Sequence, residues 1–308
     1  MIDIKIIREN PEVVRKNTKN RGYDENLVDQ IVSFDEEWRV LKKQDDDLRA
    51  QRNKISESIN QAKKEKNEKR AQELIQKAKE IPGVLAKNEE KENELKQKLD
   101  NLLASIPNIQ NEKSPFGDAE KNKEISKWGK IPKIKDPKGH LELGEALDII
   151  DMKRATKIAG AGFYILKGKG AKLQRALVQF MLDFHIKNGF VEINPPQLVN
   201  KKTAFGTGNL PKFEDQLYNT RDELALIPTA EVPVTNIYAD EVLRESDLPK
   251  KFCSFTECYR TEAGRKAGEE GLFRLHQFEK VEMVYLCEPE ESYDFLEEMT
   301  GYAEQILK

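Results

Sequence analysis

Two short stretches of the sequence hold the residues best suited to chemistry. Cys258, Arg260 and Glu262 follow one another at intervals of two, as do Arg274, His276, Phe278, Lys280 and Glu282. Side chains alternate across a β-strand, so residues of equal parity share a face. Strands over 252–262 and 273–286, joined by the polar, glycine-rich loop 263–271, therefore set arginines and glutamates in adjacent rows. Guanidinium forks bind two oxygens of a phosphate or carboxylate at once. Carboxylates beside them can hold an ammonium group or a metal ion, and the ring of Phe278 offers a face to a flat base. On spacing alone, a solvated sheet face laced by cross-strand ion pairs is equally open.

Other candidates are weaker singly. Thr229, Ala230 and Glu231 follow a predicted strand at 224–227 and Pro228, where they could simply cap a turn. Gly206-Thr207-Gly208 is an anion nest or an ordinary turn, and no GxxxxGK[ST] phosphate loop is present. His140, His185 and His276 lack metal-ligand spacing, and no nucleophile–base pair stands out. Cys253, Cys258 and Cys287 are odd in number and form no CxxC, which predicts buried thiols in a reducing cytosol.

The elements that must position these residues differ sharply between the two ends of the chain. Of 17 glycines, only Gly22 and Gly83 precede residue 110. Leu27, Ile31, Phe34, Trp38, Leu41, Leu48, Ile55, Ile59 and Ala62 recur in steps of four and three, interrupted by Asp45 and Arg52. Ala71, Leu74, Ala78, Ile81, Leu85, Leu95, Leu99, Leu102 and Ile106 repeat the pattern, with Asn88 and Glu92 as polar insertions. Two such helices bury their seams against each other as a long antiparallel hairpin. Pro82-Gly83 predicts a kink or break in the second helix. Later, the spacing predicts an amphipathic helix over 171–187 with Leu173, Leu177, Phe180, Met181 and Phe184 on one side. A strand over 189–194 ending at Pro195-Pro196 and a helix over 293–308 follow.

Composition narrows the class. Hydrophobic residues make up 38% and charged residues 35%, too polar for one compact globule and fitting a solvated arm attached to a mixed domain. No run of about 18 apolar residues exists to cross a membrane. The first ten residues are too charged for a signal peptide. A net charge of -3 argues against a general polyanion binder, though not against a local basic surface such as Lys63, Lys64, Lys66, Lys69 and Arg70.

The order of motifs is more specific than any of its parts. A heptad hairpin precedes GTGNLPKFEDQLY, then LIPTAEVPVTN, then CYRTEAG and GLFRLHQFEKVE. Together, over the whole chain, they resemble seryl-tRNA synthetase, a class II aminoacyl-tRNA synthetase. The resemblance implies an α+β fold, with the helical hairpin (a coiled coil) followed by an antiparallel sheet flanked by helices. It divides the chain into a tRNA-binding arm at 1–110, a linker at 111–124 and a partial catalytic domain at 125–308. The implied reaction joins serine to serine tRNA through seryl-adenylate, using ATP and Mg²⁺ in the cytoplasm, and selenocysteine tRNA is admitted as a further substrate.

By position, Arg260 would contact the α-phosphate, with Thr261 beside it and Glu262 facing the adenine end of ATP. Arg274 would assist the reacting carboxylate and phosphate, and Phe278 would stack on adenine. Thr229, Ala230, Glu231 and Glu282 would surround serine, with the acids toward its ammonium. Lys63, Lys64, Lys66, Lys69 and Arg70 would follow the long variable arm of the tRNA through its phosphates. No metal ligand is assigned. The segment 189–196 matches the class II dimer motif and implies a homodimer. Two departures stand out. The loop between Arg260 and Arg274 is slightly short, leaving Arg265 and Lys266 without secure roles. The glycine-rich third class motif ending in Glu-Arg is absent, so the resemblance implies a C-terminally incomplete synthetase. That leaves a non-catalytic tRNA-binding or scaffolding derivative as the alternative.

Overall fold

The computed structural model describes residues 2–262 and 271–308. Two compact units divide the chain, Met1–Gly129 and Lys130–Lys308. The loop positions Arg265 and Lys266 lie outside the described residues.

The first unit is helical: α1 (Ile4–Glu9), α2 (Pro11–Asn20), α3 (Asn26–Lys64) and α4 (Glu68–Ser105). At about 1.5 Å per residue, α3 and α4 are each roughly 57 Å long. Ile31, Leu41 and Ala62 of the predicted seam are buried in α3, and Ala71, Ile81, Leu95 and Leu99 in α4. Ile55 and Ile59 stay half-buried, because a two-helix seam leaves its flanks open to water. Three of the polar interruptions find polar partners across the seam. Asn88 Nδ2 donates to Asp45 Oδ1 at 2.6 Å, and Glu92 faces Lys42 at 4.0 Å.

Two features depart from the seam pattern. The base of the hairpin is thickened by α1 and α2, which periodicity over so few residues does not announce. Ile2, Ile7 and Val14 join Val28, Ile31, Leu99 and Ile106 in its core. There Arg8 grips the buried Asp35 with two donors, at 2.7 and 2.6 Å. Of the kink or break expected at Pro82-Gly83, the break is not found, for α4 runs unbroken past Pro82. Pro82 and Gly83 are exposed, so the carbonyl left without its amide partner can turn to water.

The second unit contains α5 (His140–Ala146), α6 (Met152–Ala159), α7 (Lys169–Lys187), β1 (Val191–Glu192) and β2 (Leu198–Asn200). It continues with α8 (Lys201–Gly206), β3 (Leu224–Leu226), α9 (Glu231–Thr235), β4 (Lys250–Tyr259), β5 (Gln277–Leu286) and α10 (Ser292–Leu307). One sheet has the order β1-β4-β5, and β2-β3 form a second pair. β4 and β5 are antiparallel, as predicted. β1 joins β4 in parallel, so the sheet is mixed rather than purely antiparallel.

Parity decides what each face of β4-β5 meets. Odd-numbered Cys253, Phe255, Val281, Met283 and Tyr285 pack with Leu182 of α7 and Tyr302 of α10. Even-numbered Phe252, Val284 and Leu286 pack with Ala230 and Val234 of the α9 segment. The apolar side predicted for α7 is only partly used. Leu173, Leu177 and Phe180 are exposed, whereas Leu182 and His185 are buried. His185 sits among Phe184, Phe190 and Tyr302, and burial pushes its pKa down.

Candidate active site

The site lies where β4 ends and β5 begins, on the even-numbered face. Cys258 pairs with Phe278, Thr256 with Lys280 and Ser254 with Glu282. Small buried residues on β4 thus stand opposite long side chains on β5. Pairing continues one step further, since the Arg260 amide donates to the His276 carbonyl at 2.9 Å.

The predicted rows end sooner than expected. β4 stops at Tyr259 and β5 starts at Gln277, so Glu262 and Arg274 are not in strands. Glu262 has φ +50°, which turns the chain away from extended geometry. Thr261 is held elsewhere, its amide donating to the Gln216 carbonyl at 3.1 Å and its hydroxyl to the Asp215 carbonyl at 2.7 Å. Glu262 still faces Arg274, at 3.8 Å. The guanidinium of Arg260 lies 5.1 Å from the centre of the Phe278 ring, covering the face expected to receive a base.

A backbone bond carries Thr229 to the same place. The Tyr259 amide at the end of β4 donates to the carbonyl of Ile227 at 2.9 Å, anchoring the turn before α9. Ala230 is fully buried there. The hydroxyl of Thr229 donates to Glu282 Oε2 at 2.6 Å, and the Glu231 amide reaches the same oxygen at 3.0 Å. Lys280 Nζ donates to Thr229 Oγ1 at 2.6 Å and to Glu282 Oε1 at 2.8 Å. Desolvation and then the nearby Glu282 hold the Glu231 carboxyl above its usual range, while Lys280 acts in the opposite direction. A cavity of about 210 Å³ beside the cluster is lined by residues including Phe213, Gln216, Thr229 and Arg260.

Thr229, Glu231, Glu282, Arg260 and Phe278 are thus brought onto one face. Sequence reasoning placed Lys280 in the right row but gave it no role. Its position between Phe278 and Glu282 was the available signal. With both glutamates ionised, two carboxylates and one ammonium leave one negative charge unanswered. The cluster therefore suits a ligand that brings an ammonium group, with a guanidinium nearby for an anionic part. Among the described residues, no group of three or more His, Cys, Asp or Glu side chains is placed to hold a metal ion.

The basic candidates gather at the tip of the hairpin. Lys63 and Lys64 close α3, Lys66 lies in the turn, and Lys69 and Arg70 open α4. Lys66 takes φ +55°. The Asn67 amide returns to the Ala62 carbonyl at 2.9 Å, and the Lys66 amide to the Lys63 carbonyl at 3.1 Å, a Schellman closure. Asn67 Oδ1 then caps α4 by accepting from the Arg70 amide at 3.1 Å. All five cationic side chains are exposed.

A long helical hairpin with a sheet presenting arginine, phenylalanine and paired glutamates defines a class II aminoacyl-tRNA synthetase. Residues 212–308 match the tRNA synthetase class II core domain (G, H, P, S and T). Residues 1–110 match the Seryl-tRNA synthetase N-terminal domain. The chain is 44% identical over 312 residues to the serine–tRNA ligase of Fervidobacterium nodosum, spanning 100% of this chain and 73% of that relative. It is 45% identical over 315 residues to that of Staphylococcus haemolyticus, with the same coverage. The seryl-tRNA synthetase of Pyrococcus horikoshii complexed with ATP superposes with a TM-score of 0.90 at 37% identity, covering 100% of this chain and 74% of that one. The chain belongs to the seryl-tRNA synthetase family. No helix among the described residues is long and apolar enough to cross a membrane.

Proposed function

We propose that the chain carries the serine and nucleotide contacts of a serine–tRNA ligase at 125–308 and its tRNA-gripping arm at 1–110, joined by 111–124. In the first step, a serine carboxylate oxygen attacks the α-phosphorus of ATP, the bond to the β-phosphate oxygen breaks, and pyrophosphate leaves with that electron pair. In the second, a hydroxyl of the terminal tRNA ribose takes the seryl group and AMP departs. Arg260 and Arg274 offset charge on the phosphoryl oxygens, so positioning and electrostatics carry the step without a covalent enzyme intermediate. Thr261 and Glu262 border the nucleotide. Phe278 stacks on adenine once Arg260 leaves its ring for the phosphate.

The observation that carries this reading is the Thr229–Glu231–Lys280–Glu282 cluster on the same face as Arg260. Its one unanswered negative charge matches the ammonium of an amino acid, with Glu231 and Glu282 as acceptors. The bound ATP named for the Pyrococcus horikoshii protein and the AMP named for that of Naegleria fowleri (TM-score 0.82, 27% identity) support an adenine nucleotide as a ligand. Mg²⁺ enters this reading only as the counter-ion of ATP.

Lys63, Lys64, Lys66, Lys69 and Arg70 contact phosphates of the long variable arm of serine tRNA, in the cytoplasm, and selenocysteine tRNA is read the same way. The exposed Leu173, Leu177 and Phe180, with segment 189–196, supply the face of a homodimer. Serine-dependent exchange between ATP and pyrophosphate tests the catalytic reading, on this chain and on the chain joined to the C-terminal part its relatives possess. Exchange in either form that drops at least a hundredfold in Arg260→Ala supports it, and its absence in both forms overturns it.

A further inference from the structure

Residues 121–138 form the most basic exposed stretch outside the hairpin tip, and none of their side chains has been given a contact with a ligand. They hold seven lysines, Lys121, Lys123, Lys127, Lys130, Lys133, Lys135 and Lys138, against Glu124 and Asp136. The local net charge is +5 in a chain whose total is -3. Every residue in the stretch is exposed, and beyond Lys121 none belongs to a helix or strand. Lys127 pairs with Glu124 at 3.0 Å and Lys138 with Glu142 at 2.8 Å. Among the described residues no ion pair is found for the other five.

Charge alone would describe a solvated connector. The apolar side chains do not fit that description. Trp128 is 68% exposed, Ile125 86% and Ile131 95%. A connector with no partner has no physical reason to hold an indole in water between lysines that recur every two to four residues. A second copy is a poor cover, since two stretches of the same +5 charge repel. A polyanion with flat apolar faces satisfies both features, because phosphates answer the ammonium groups and an unpaired base stacks on the indole.

We infer that residues 121–138 are a second RNA-contacting segment, laid along the phosphate backbone of the tRNA held by the arm, with Trp128 stacked on an unpaired base. This rests on the proposed tRNA-binding function. It requires only that these residues follow one another along the chain.

The test is binding of a serine tRNA transcript to this chain across a range of salt concentrations. Three variants are compared: Lys127→Ser/Lys130→Ser/Lys133→Ser/Lys135→Ser, Trp128→Ala, and a tip variant with Lys63, Lys64, Lys66, Lys69 and Arg70 all changed to Ser. Melting curves matching the parent establish that each folds. The four-lysine variant should lose about 3 from the slope of log affinity against log salt and bind roughly tenfold more weakly at about 0.1 M salt. Trp128→Ala should weaken binding about tenfold. In a Trp38→Phe background Trp128 is the sole indole, and its emission should be quenched by the transcript but not by a fully paired RNA hairpin.

Parental affinity and slope in the four-lysine variant, or unchanged Trp128 emission at saturating RNA, overturn the inference. So does emission that changes with protein concentration or with anionic phosphatidylserine vesicles, which would make a second copy or a membrane surface the partner. Loss of binding in the tip variant alone leaves the arm standing and removes the segment. Loss in the four-lysine variant alone does the reverse. A parent chain that binds no tRNA removes both.

Discussion

Asn88 in α4 gives its amide to the carboxylate of Asp45 in α3 at 2.6 Å, and Asp45 is fully enclosed between the helices. The other oxygen of Asp45 has no hydrogen-bond partner. A seam built only of apolar residues tolerates a shift of one heptad, whereas a single polar pair fits one alignment. The pair therefore favours one alignment of α3 on α4, in addition to the short turn that joins them.

Asn88→Ala should destabilise the hairpin by about 2–3 kcal/mol, because it strands a buried carboxylate without its donor. Urea unfolding followed by helical circular dichroism reads the loss. Asp45→Leu/Asn88→Leu should recover that stability while losing the fixed register, which distance measurements between spin labels on α3 and α4 would show as broadened distributions. An unchanged urea midpoint in Asn88→Ala would mean that the pair is not enclosed in solution.

At the active site, Lys280 lies between Thr229 and Glu282 and lowers the pKa of Glu231 through its charge. In Lys280→Met the two glutamates face each other without a cation, so the Glu231 carboxyl should rise further. The low-pH limb of serine-dependent exchange should then move to higher pH, with KM for serine raised about tenfold at neutral pH. Lys280→Arg should restore the limb at least in part. A simple structural defect would lower the rate without moving the limb.

Glu231 also predicts a cost in stability. Its pKa is raised above the ordinary carboxylate value, chiefly by desolvation. The folded state therefore holds its proton to higher pH than the unfolded state, and stability falls as pH rises from the unfolded value through the folded one. Glu231→Gln should melt at a higher temperature than the parent at pH 7, and the gap should close below about pH 4. Equal melting temperatures at both pH values would remove this cost. Serine-dependent exchange should fall in the same variant, since the amide no longer attracts an ammonium group.

Much of this was legible from patterns that repeat. The hairpin could be read because apolar residues recur over more than ten turns, and β4-β5 because parity places Cys258, Phe278, Lys280 and Glu282 on one face. Local pattern did not reveal features that depend on distant partners. Glu262 and Arg274 fit the alternation, yet tertiary bonds from Thr261 to Asp215 and Gln216 end the strand first. Asp45 and Asn88 looked like separate flaws in two helices until the fold joined them. Arg8 and Asp35 lie 27 positions apart, and neither advertises the other. Pro82 shows the opposite failure, for a strong local breaker is overruled where its exposed backbone can be solvated and the seam on either side is packed.

Gly271 is the position where a single methyl group should do most damage near the site. Its φ is +97°, and an added Cβ would come within 2.2 Å of the His140 ring. That ring accepts from the Leu272 amide at 3.0 Å and stands edge-on to Phe273 at 4.8 Å. In Gly271→Ala the ring must move, losing the Leu272 bond, and the alanine must also hold a left-handed backbone. The expected cost is about 2–4 kcal/mol, read by thermal melting. Removing the ring separates the two causes. In His140→Ala the collision is gone, so adding Gly271→Ala should cost only the backbone strain of about 1–2 kcal/mol. The double variant should thus be more stable than the sum of the single losses by at least about 1 kcal/mol. Strict additivity would show that the glycine is required for its backbone angle alone and that His140 yields freely.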